Sequence, residues 1–368
     1  VLEIPNDGAP SLREFAPKEY HMEFSKIAGT DLSVSRIGLG TWAIGGWMWG
    51  GSDDTESIKT IQAAIDRGIS LIDTAPVYGF GHSEEIVGKA LATNGLRHQA
   101  VIATKTGLDW RDGQPFRNAS RQRILAEVEQ SLRRLRTDHI DIYQVHWPDP
   151  LTPIEECAEA MLALYRQGKI RAIGVSNFSR QQMHLFRRVA PIHTVQPPYN
   201  LFERAAEEEV LPYCLWHNIA TLVYGPICRG LLSGRMTAET RFGGDDQRNT
   251  DPKFQQPRYG QYLRAVEELD RFARDNFGKR VMHLALRWAL DQPGVSVALM
   301  GARRPAQLDP IDKAVGWALG NDAIAEIDRI VRTSVIDPVG PEFMAPPTRP
   351  QPTVEDGYAK SSAVGAQS

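Results

Sequence analysis

The chain has 368 residues, 42% of them hydrophobic, and a formal net charge of -3. That length fits two domains of roughly 150 residues or one α/β barrel of about 250 residues with extensions, and the near-neutral balance supplies no field for nucleic acid or an anionic membrane. No apolar run approaches the roughly 18 residues that span a bilayer, and the charged, Pro-broken N-terminus holds no apolar signal-peptide core, so the expected setting is the cytoplasm. Residues 1–21 read as a flexible arm. Short alternation from Met22, around Gly29-Thr30-Asp31, predicts a β-hairpin. From Ile37 onward, short apolar runs alternate with capped amphipathic stretches. IGLGT (37–41) precedes a helix with Asp53 and Glu56 at capping-box spacing, an Ile58, Ile61, Ile65 stripe, and Gly68 as its stop. ISLID ends on Asp73, and a helix opens at Ser83. AVIATK ends on Lys105, and Ile124, Val128, Leu132 and Leu135 share one face of the helix after it. IDIYQVH ends on His146, with Thr152, Pro153 and Glu155 placed as N-cap, N1 proline and N3 acid. IRAIGV leads into Ser176-Asn177. IHTVQ ends on Gln196, IATLVY on Tyr224 and GVSVALMG on Gly301. A long polar connection, about 225–260, follows the seventh run. Residues 336–368 are expected to form a C-terminal loop and a disordered tail. Eight strand-helix units without a break predict a (β/α)8 TIM barrel over 22–335, in preference to an open doubly wound sheet.

A barrel of this kind builds its site at the C-terminal ends of the strands. Asp73, Lys105, His146, Ser176, Asn177, Gln196 and Tyr224 all fall there. Taken singly, Asp73 fits a turn acid, His146 a satisfied buried histidine, and Lys105 a side chain snorkelling to solvent. Together on one rim they predict proton transfer to a carbonyl. Tyr78, in the turn after the second run, is the candidate acid. A nearby Lys105 ammonium is expected to lower its pKa, Asp73 to anchor the lysine, and His146 to orient the carbonyl oxygen. GLGTWA (38–43) meets the loose dinucleotide pattern, yet it runs into IGGWMWGG, which cannot form a first helical turn, and it reads as strand plus pocket loop. Trp42, Trp47, Met48, Trp49 and Trp147 on the same rim predict a pocket for an apolar or ring-bearing carbonyl compound. Cys157, Cys214 and Cys228 have neither paired nor metal-ligand spacing and read as small buried hydrophobes.

The segments LIDTAPVYGFGHSEEIVGKAL, VIATK, QVHWP, GVSNF, VQPPYN and LVYGPICRGLLSG, in that order between about Met22 and Gly320, closely resemble the aldo-keto reductases. The resemblance implies reversible reduction of an aldehyde or ketone by direct hydride transfer from NADPH, without metal or flavin. The cofactor carries the hard step and the protein supplies position and a proton. It makes Asp73, Tyr78, Lys105 and His146 the catalytic set, with Tyr78 as general acid. It gives Ser176, Asn177 and Gln196 to the nicotinamide carboxamide and Tyr224 to the face of the ring. Thr41, Trp42, Asp73, Pro226, Ile227 and Gly230 complete the cofactor set; Trp42, Trp49, Tyr78, His146 and Trp147 face the substrate. MGARRPAQLD resembles the adenosine-phosphate segment, where Gly301, Ala302, Arg303 and Gln307 fit. Ile311 stands where the family often has Asn, and Gly225 where it has Ser. Arg303, more than Arg304, is expected to meet the 2′-phosphate of NADP at the start of a helix near Pro305. DPVGPEFMAPPTRP resembles the C-terminal segment of a bacterial inositol-catabolism-associated subgroup, which borders the substrate site and puts Phe343 and Met344 beside it. The implied partner is a small carbonyl or alcohol, with no nucleic acid or membrane. Some relatives serve as channel-associated NADPH-binding subunits with little turnover, which gives a second reading. A non-redox barrel enzyme with a phosphate site is a third.

Overall fold

The computed structural model describes residues 22–349, so the expected arm at 1–21 and the tail beyond 349 lie outside the described residues. β1 (Phe24–Lys26) and β2 (Ser33–Ser35) pair antiparallel as the expected hairpin. Eight parallel strands follow: β3 (Ile37–Gly40), β4 (Leu71–Asp73), β5 (Val101–Thr106), β8 (Ile140–Val145), β9 (Ile170–Ser176), β10 (Thr194–Gln196), β11 (Ala220–Tyr224) and β12 (Val297–Gly301). They lie in chain order, and β12 pairs with β3 to close the barrel. Between β5 and β8 an antiparallel pair intervenes, β6 (Leu108–Arg111) and β7 (Gln114–Arg117). Helices α1 (Asp54–Asp66), α2 (His82–Ala92), α3 (Arg121–Leu135), α4 (Ile154–Arg166), α5 (Arg180–Arg187), α6 (Val210–Trp216), α7 (Arg258–Phe277), α8 (Val281–Asp291) and α9 (Asn321–Ser334) surround it. Among the described residues, no helix is long and apolar enough to cross a membrane.

The apolar residues divide into layers that decide where chemistry can occur. One continuous core fills the space between strands and helices. A second fills the lower barrel interior with Leu71, Ala103, Ile142, Ala172, Leu222, Val297 and Leu299. Ile27, Leu32 and Val34 of the hairpin region join it, closing the end where the strands begin. The interior positions above that plug are polar. Gly174 of β9 makes room for them: a Cβ there would collide with Thr194 Oγ1 and Gln144 Cγ. A third cluster at the open end gathers Val77, Tyr78 and Leu108 with Trp42, Trp47, Phe80 and Trp147.

Local signals place several elements where the sequence puts them, and shift others. The Asp53 carboxylate accepts from Glu56 N–H at 3.0 Å and caps α1. Asp53 is exposed, so Asp53→Ala removes a cap without opening a cavity. It should lower stability by about 1 kcal/mol, visible as an earlier urea midpoint at unchanged m-value. The α4 cap differs from expectation. The helix starts one residue later, with Pro153 at the cap, because the Thr152 hydroxyl donates instead to the buried Asp149 carboxylate at 2.7 Å. The helix expected near Pro305 is a single 3-10 turn, Pro305–Gln307. The Gln307 side-chain oxygen takes the amide protons of Arg303 and Arg304 at 2.7 and 3.1 Å, so these donors are turned onto the protein itself. The β6–β7 pair is absent from the sequence reading. Its turn, Asp112-Gly113, has φ of 52 and 73°, the mirror-image two-residue turn that favours Asp-Gly.

Candidate active site

β4 and β5 are neighbours in the barrel, and their C-terminal ends deliver Asp73 and Lys105 into its interior. Lys105 is fully buried. Its ammonium donates to Asp73 Oδ1 at 2.6 Å, to Thr74 O at 2.9 Å and to Tyr78 Oη at 3.3 Å. The other Asp73 oxygen accepts from Gln196 Nε2 at 2.8 Å and, more weakly, from Gln144 Nε2 at 3.4 Å. The 74–81 turn aims Tyr78 at this group. Gly79 adopts φ of 68°, and a Cβ on it would collide with Gly45 O of the loop after β3. Close backbone approach of the two loops thus fixes the phenol over the lysine. The Tyr78 ring lies parallel to Trp42, centroids 5.7 Å apart, and edge-on to His146 at 5.8 Å.

The electrostatics differ from the expectation in one respect. Burial, and then the Asp73 carboxylate, push the Tyr78 phenol well above its ordinary pKa; the lysine was expected to lower it. The reason is geometric. The phenol is buried, which disfavours its charged form, and the Asp73 carboxylate that pairs with the ammonium at 2.6 Å adds to the rise. Burial also pulls the Lys105 ammonium below its usual value against the pull of Asp73. Burial, then Lys105, hold His146 well below the usual histidine range, so its imidazole is neutral at pH 7. The centre therefore offers a protonated phenol backed by a lysine–aspartate pair and flanked by a neutral imidazole.

A cleft of about 690 Å³ opens above this centre. Every residue expected at the cofactor and substrate lines it: Gly40 to Trp42 and Trp49, Asp73 and Tyr78, His146 and Trp147, Ser176 and Asn177, Gln196, Tyr224, then Pro226, Ile227, Gly230, Gly301, Arg303 and Gln307. Phe343 and Met344 also line it. Several of these polar groups are already engaged. The Thr41 hydroxyl donates to Asp73 O at 2.9 Å and contacts Ser83 Oγ at 2.7 Å. The Ser176 hydroxyl donates to Gln196 O, and Tyr224 Oη donates to Asn177 Oδ1 at 3.0 Å. Arg303 Nη1 donates to Trp49 O and Gly51 O at 3.0 and 3.3 Å, pinning the loop after β3. Ile311 is packed in the core and offers no polar contact. Sequence reasoning missed Leu108, Gln114 and Pro115, brought in by the β6–β7 hairpin, and Arg229, Arg248 and Thr250 from the long loop after β11. The Asp-Gly turn was the available signal for the first group.

Residues 36–332 match the model of the Aldo/keto reductase family. The chain belongs to this family. Aldo/keto reductases are oxidoreductases that use nicotinamide cofactors. The aldo-keto reductase YhdN of Bacillus subtilis is 62% identical over 328 residues, 89% of this chain and 99% of that protein. The NADH-specific methylglyoxal reductase of Escherichia coli is 38% identical over 297 residues, 77% of this chain and 90% of that protein. Among solved aldo/keto reductases, the glycerol dehydrogenase AKR11B4 from Gluconobacter oxydans superposes with a TM-score of 0.80 at 52% identity, covering 88% of this chain and 99% of its own. The cleft of this aldo/keto reductase suits a dinucleotide. Gly225 faces open space at φ of 68°, so backbone there is accessible to a ligand, and the cleft runs from the Tyr78 phenol to the Arg303 guanidinium.

Proposed function

We propose that this protein reduces a small aldehyde or ketone to an alcohol, reversibly, with NADPH as reductant and Tyr78 as proton donor. The observation that carries the reading is the Tyr78–Lys105–Asp73 chain, with contacts of 3.3 and 2.6 Å, at the floor of the cleft. The bound nicotinamide supplies a hydride. Every other part belongs to the chain. Lys105 donates to the phenol oxygen, so the phenol proton points away from the lysine, toward the cavity. A phenol held protonated has its proton ready for the strongly basic oxygen that forms on a reduced carbonyl. The neutral His146 imidazole beside it donates a hydrogen bond to that same oxygen and fixes its position. Asp73, held by Gln196, keeps the lysine in place. In this reading Asn177 and Gln196 grip an amide group on the cofactor, and the Tyr224 ring gives it a stacking face.

The likenesses to a methylglyoxal reductase and a glycerol dehydrogenase favour short, oxygen-rich carbonyl compounds over ring-bearing ones. Cyclic polyol ketones belong on the same panel, because the C-terminal segment resembles that of the inositol-catabolism-associated subgroup. Three free, buried cysteines fit a cytoplasmic setting. The test is loss of NADPH absorbance with a panel of aldehydes and ketones. Steady consumption with a short hydroxy- or oxo-carbonyl supports the proposal. Tight NADPH binding with no turnover on any member favours the cofactor-sensing reading.

Cofactor choice is proposed from Arg303. Among the described residues its Nη1 donates to Trp49 O and Gly51 O while Nε and Nη2 make no hydrogen bond, so they are the atoms to pair with a 2′-phosphate. Arg303→Ala should raise the KM for NADPH about tenfold or more and that for NADH by no more than about threefold, the residual loss reflecting the loosened loop. Equal losses for both coenzymes would make the arginine a loop tether alone, and an NADH-preferring wild type would defeat the assignment.

A further inference from the structure

The turn after β11 forms part of two boundaries of the cleft. Its Ile227 and Gly230 line the side of the cleft proposed for the cofactor. Cys228, Arg229 and Gly230 adopt φ of 46, 52 and 89°, a left-handed run that residues with a Cβ avoid unless their surroundings enforce it. Here the enforcement is ionic. Arg229 Nε pairs with Asp251 Oδ2 at 2.6 Å and its Nη2 with Glu203 Oε1 at 2.5 Å. Lys253 Nζ meets the same Glu203 oxygen at 2.8 Å and lies 3.9 Å from Asp251. All four side chains are at most 5% exposed, and the two cations balance the two carboxylates. Burial pushes the Glu203 carboxyl up, and Arg229 with Lys253 pulls it below its usual value.

The two cations of the four, Lys253 and Arg229, reach the C-terminal segment. Lys253 Nζ donates to Gly340 O at 3.0 Å. Arg229 Nη1 lies 3.8 Å from Met344 Sδ, and its guanidinium lies 5.5 Å from the centre of the Phe343 ring. Next to these, Val339 N–H donates to Tyr262 Oη of α7 at 3.2 Å. The far end of the segment is tied to the other side of the mouth. Arg117 of β7 donates from N to Pro347 O at 2.9 Å and from Nε to Pro346 O at 2.8 Å. Phe343 and Met344 between the two anchorages, and Pro346 and Pro347 at the second, line the cleft. Residues 339–348 are thus a strap across the mouth, and Lys253 holds one end of it without lining the cleft.

We propose that the Arg229–Glu203–Asp251–Lys253 quartet is a positioning device that seats this strap as the roof of the carbonyl site and locks it to the cofactor wall. Lys253 then governs carbonyl affinity from outside the cleft. The inference rests on the carbonyl-reductase reading. The test is Lys253→Met in the full chain. KM for the carbonyl should rise about tenfold, with kcat and the NADPH Kd each within about threefold of wild type. Amide hydrogen exchange, which needs no turnover, should quicken across 339–348 and not in the barrel strands. Tyr262→Phe keeps all four charges and removes only the acceptor of the Val339 N–H. It should move both readouts the same way by a smaller factor, and it answers the question if Lys253→Met does not accumulate. A purely structural cluster would lower Tm and the yield of active enzyme while leaving the KM of the surviving enzyme and the strap's exchange unmoved, and that result would overturn the proposal. Quickened strap exchange in a protein that reduces no carbonyl would sink the functional reading and leave the strap assignment standing.

Discussion

Tyr78→Phe should lower the rate of carbonyl reduction about 10²-fold or more, with NADPH affinity within about threefold of wild type. The substitution deletes one oxygen. The ring keeps its parallel contact with Trp42 and its edge contact with His146. Lys105 loses the acceptor at 3.3 Å and retains Asp73 and Thr74 O, so no buried charge is orphaned and the fold is preserved. What remains is a centre that can bind both reactants and cannot protonate the product oxygen. Single-turnover kinetics separate the two steps: cofactor binding persists and the chemical step slows. Turnover near that of wild type would move the proton to another group, with His146 the nearest alternative.

Lys105→Met should act on activity and stability together. The lysine is the buried cation of the centre, and its removal leaves the Asp73 carboxylate with only the amide groups of Gln196 and Gln144. Breaking a buried pair by removing one partner costs about 3–5 kcal/mol, because the remaining charge stays desolvated. Tm should fall accordingly, and reduction should fall at least as far as in Tyr78→Phe. Adding Asp73→Asn removes the stranded charge, so the double variant should regain much of the lost Tm and none of the activity. This non-additivity is the signature of a coupled pair. If the two stability losses simply add, Asp73 and Lys105 are not acting as one unit.

The barrel was legible because its signal is repeated: each apolar run is short, buried on both faces and followed by a capped amphipathic stretch. The polar rim was legible for a related reason. A residue that ends a parallel barrel strand falls at the C-terminal face, so Asp73, Lys105, His146 and Gln196 converge without knowledge of any contact. Interior geometry was not legible. Gln144 sits one position before Val145 within a buried strand, and only the absence of a Cβ at Gly174 lets its amide reach Asp73. The direction of the Tyr78 shift was not legible because it depends first on how deeply the phenol is buried, and then on the Asp73 carboxylate, neither of which strand-end position reveals. Loop-to-loop ties were hidden by sequence distance. Asp245 accepts from Met48 and Gly50 amides at 2.7 and 3.0 Å, and Arg303 reaches back to Trp49 and Gly51. The strap belongs to the same class: its Pro-rich composition suggests a loop and says nothing of the buried lysine that holds it.

The proposed chemistry is direct hydride transfer to a carbonyl carbon with Tyr78 supplying the proton. The decisive measurement uses NADPH carrying deuterium at both C4 positions of the nicotinamide and a short hydroxy-aldehyde or ketone, in ordinary water, with the alcohol product read by mass spectrometry and NMR. Deuterium should be retained on the carbinol carbon of the wild-type product, and the same labelled product should form at least about 10²-fold more slowly with Tyr78→Phe. A product without deuterium at that carbon, or Tyr78→Phe as fast as wild type, would contradict this chemistry.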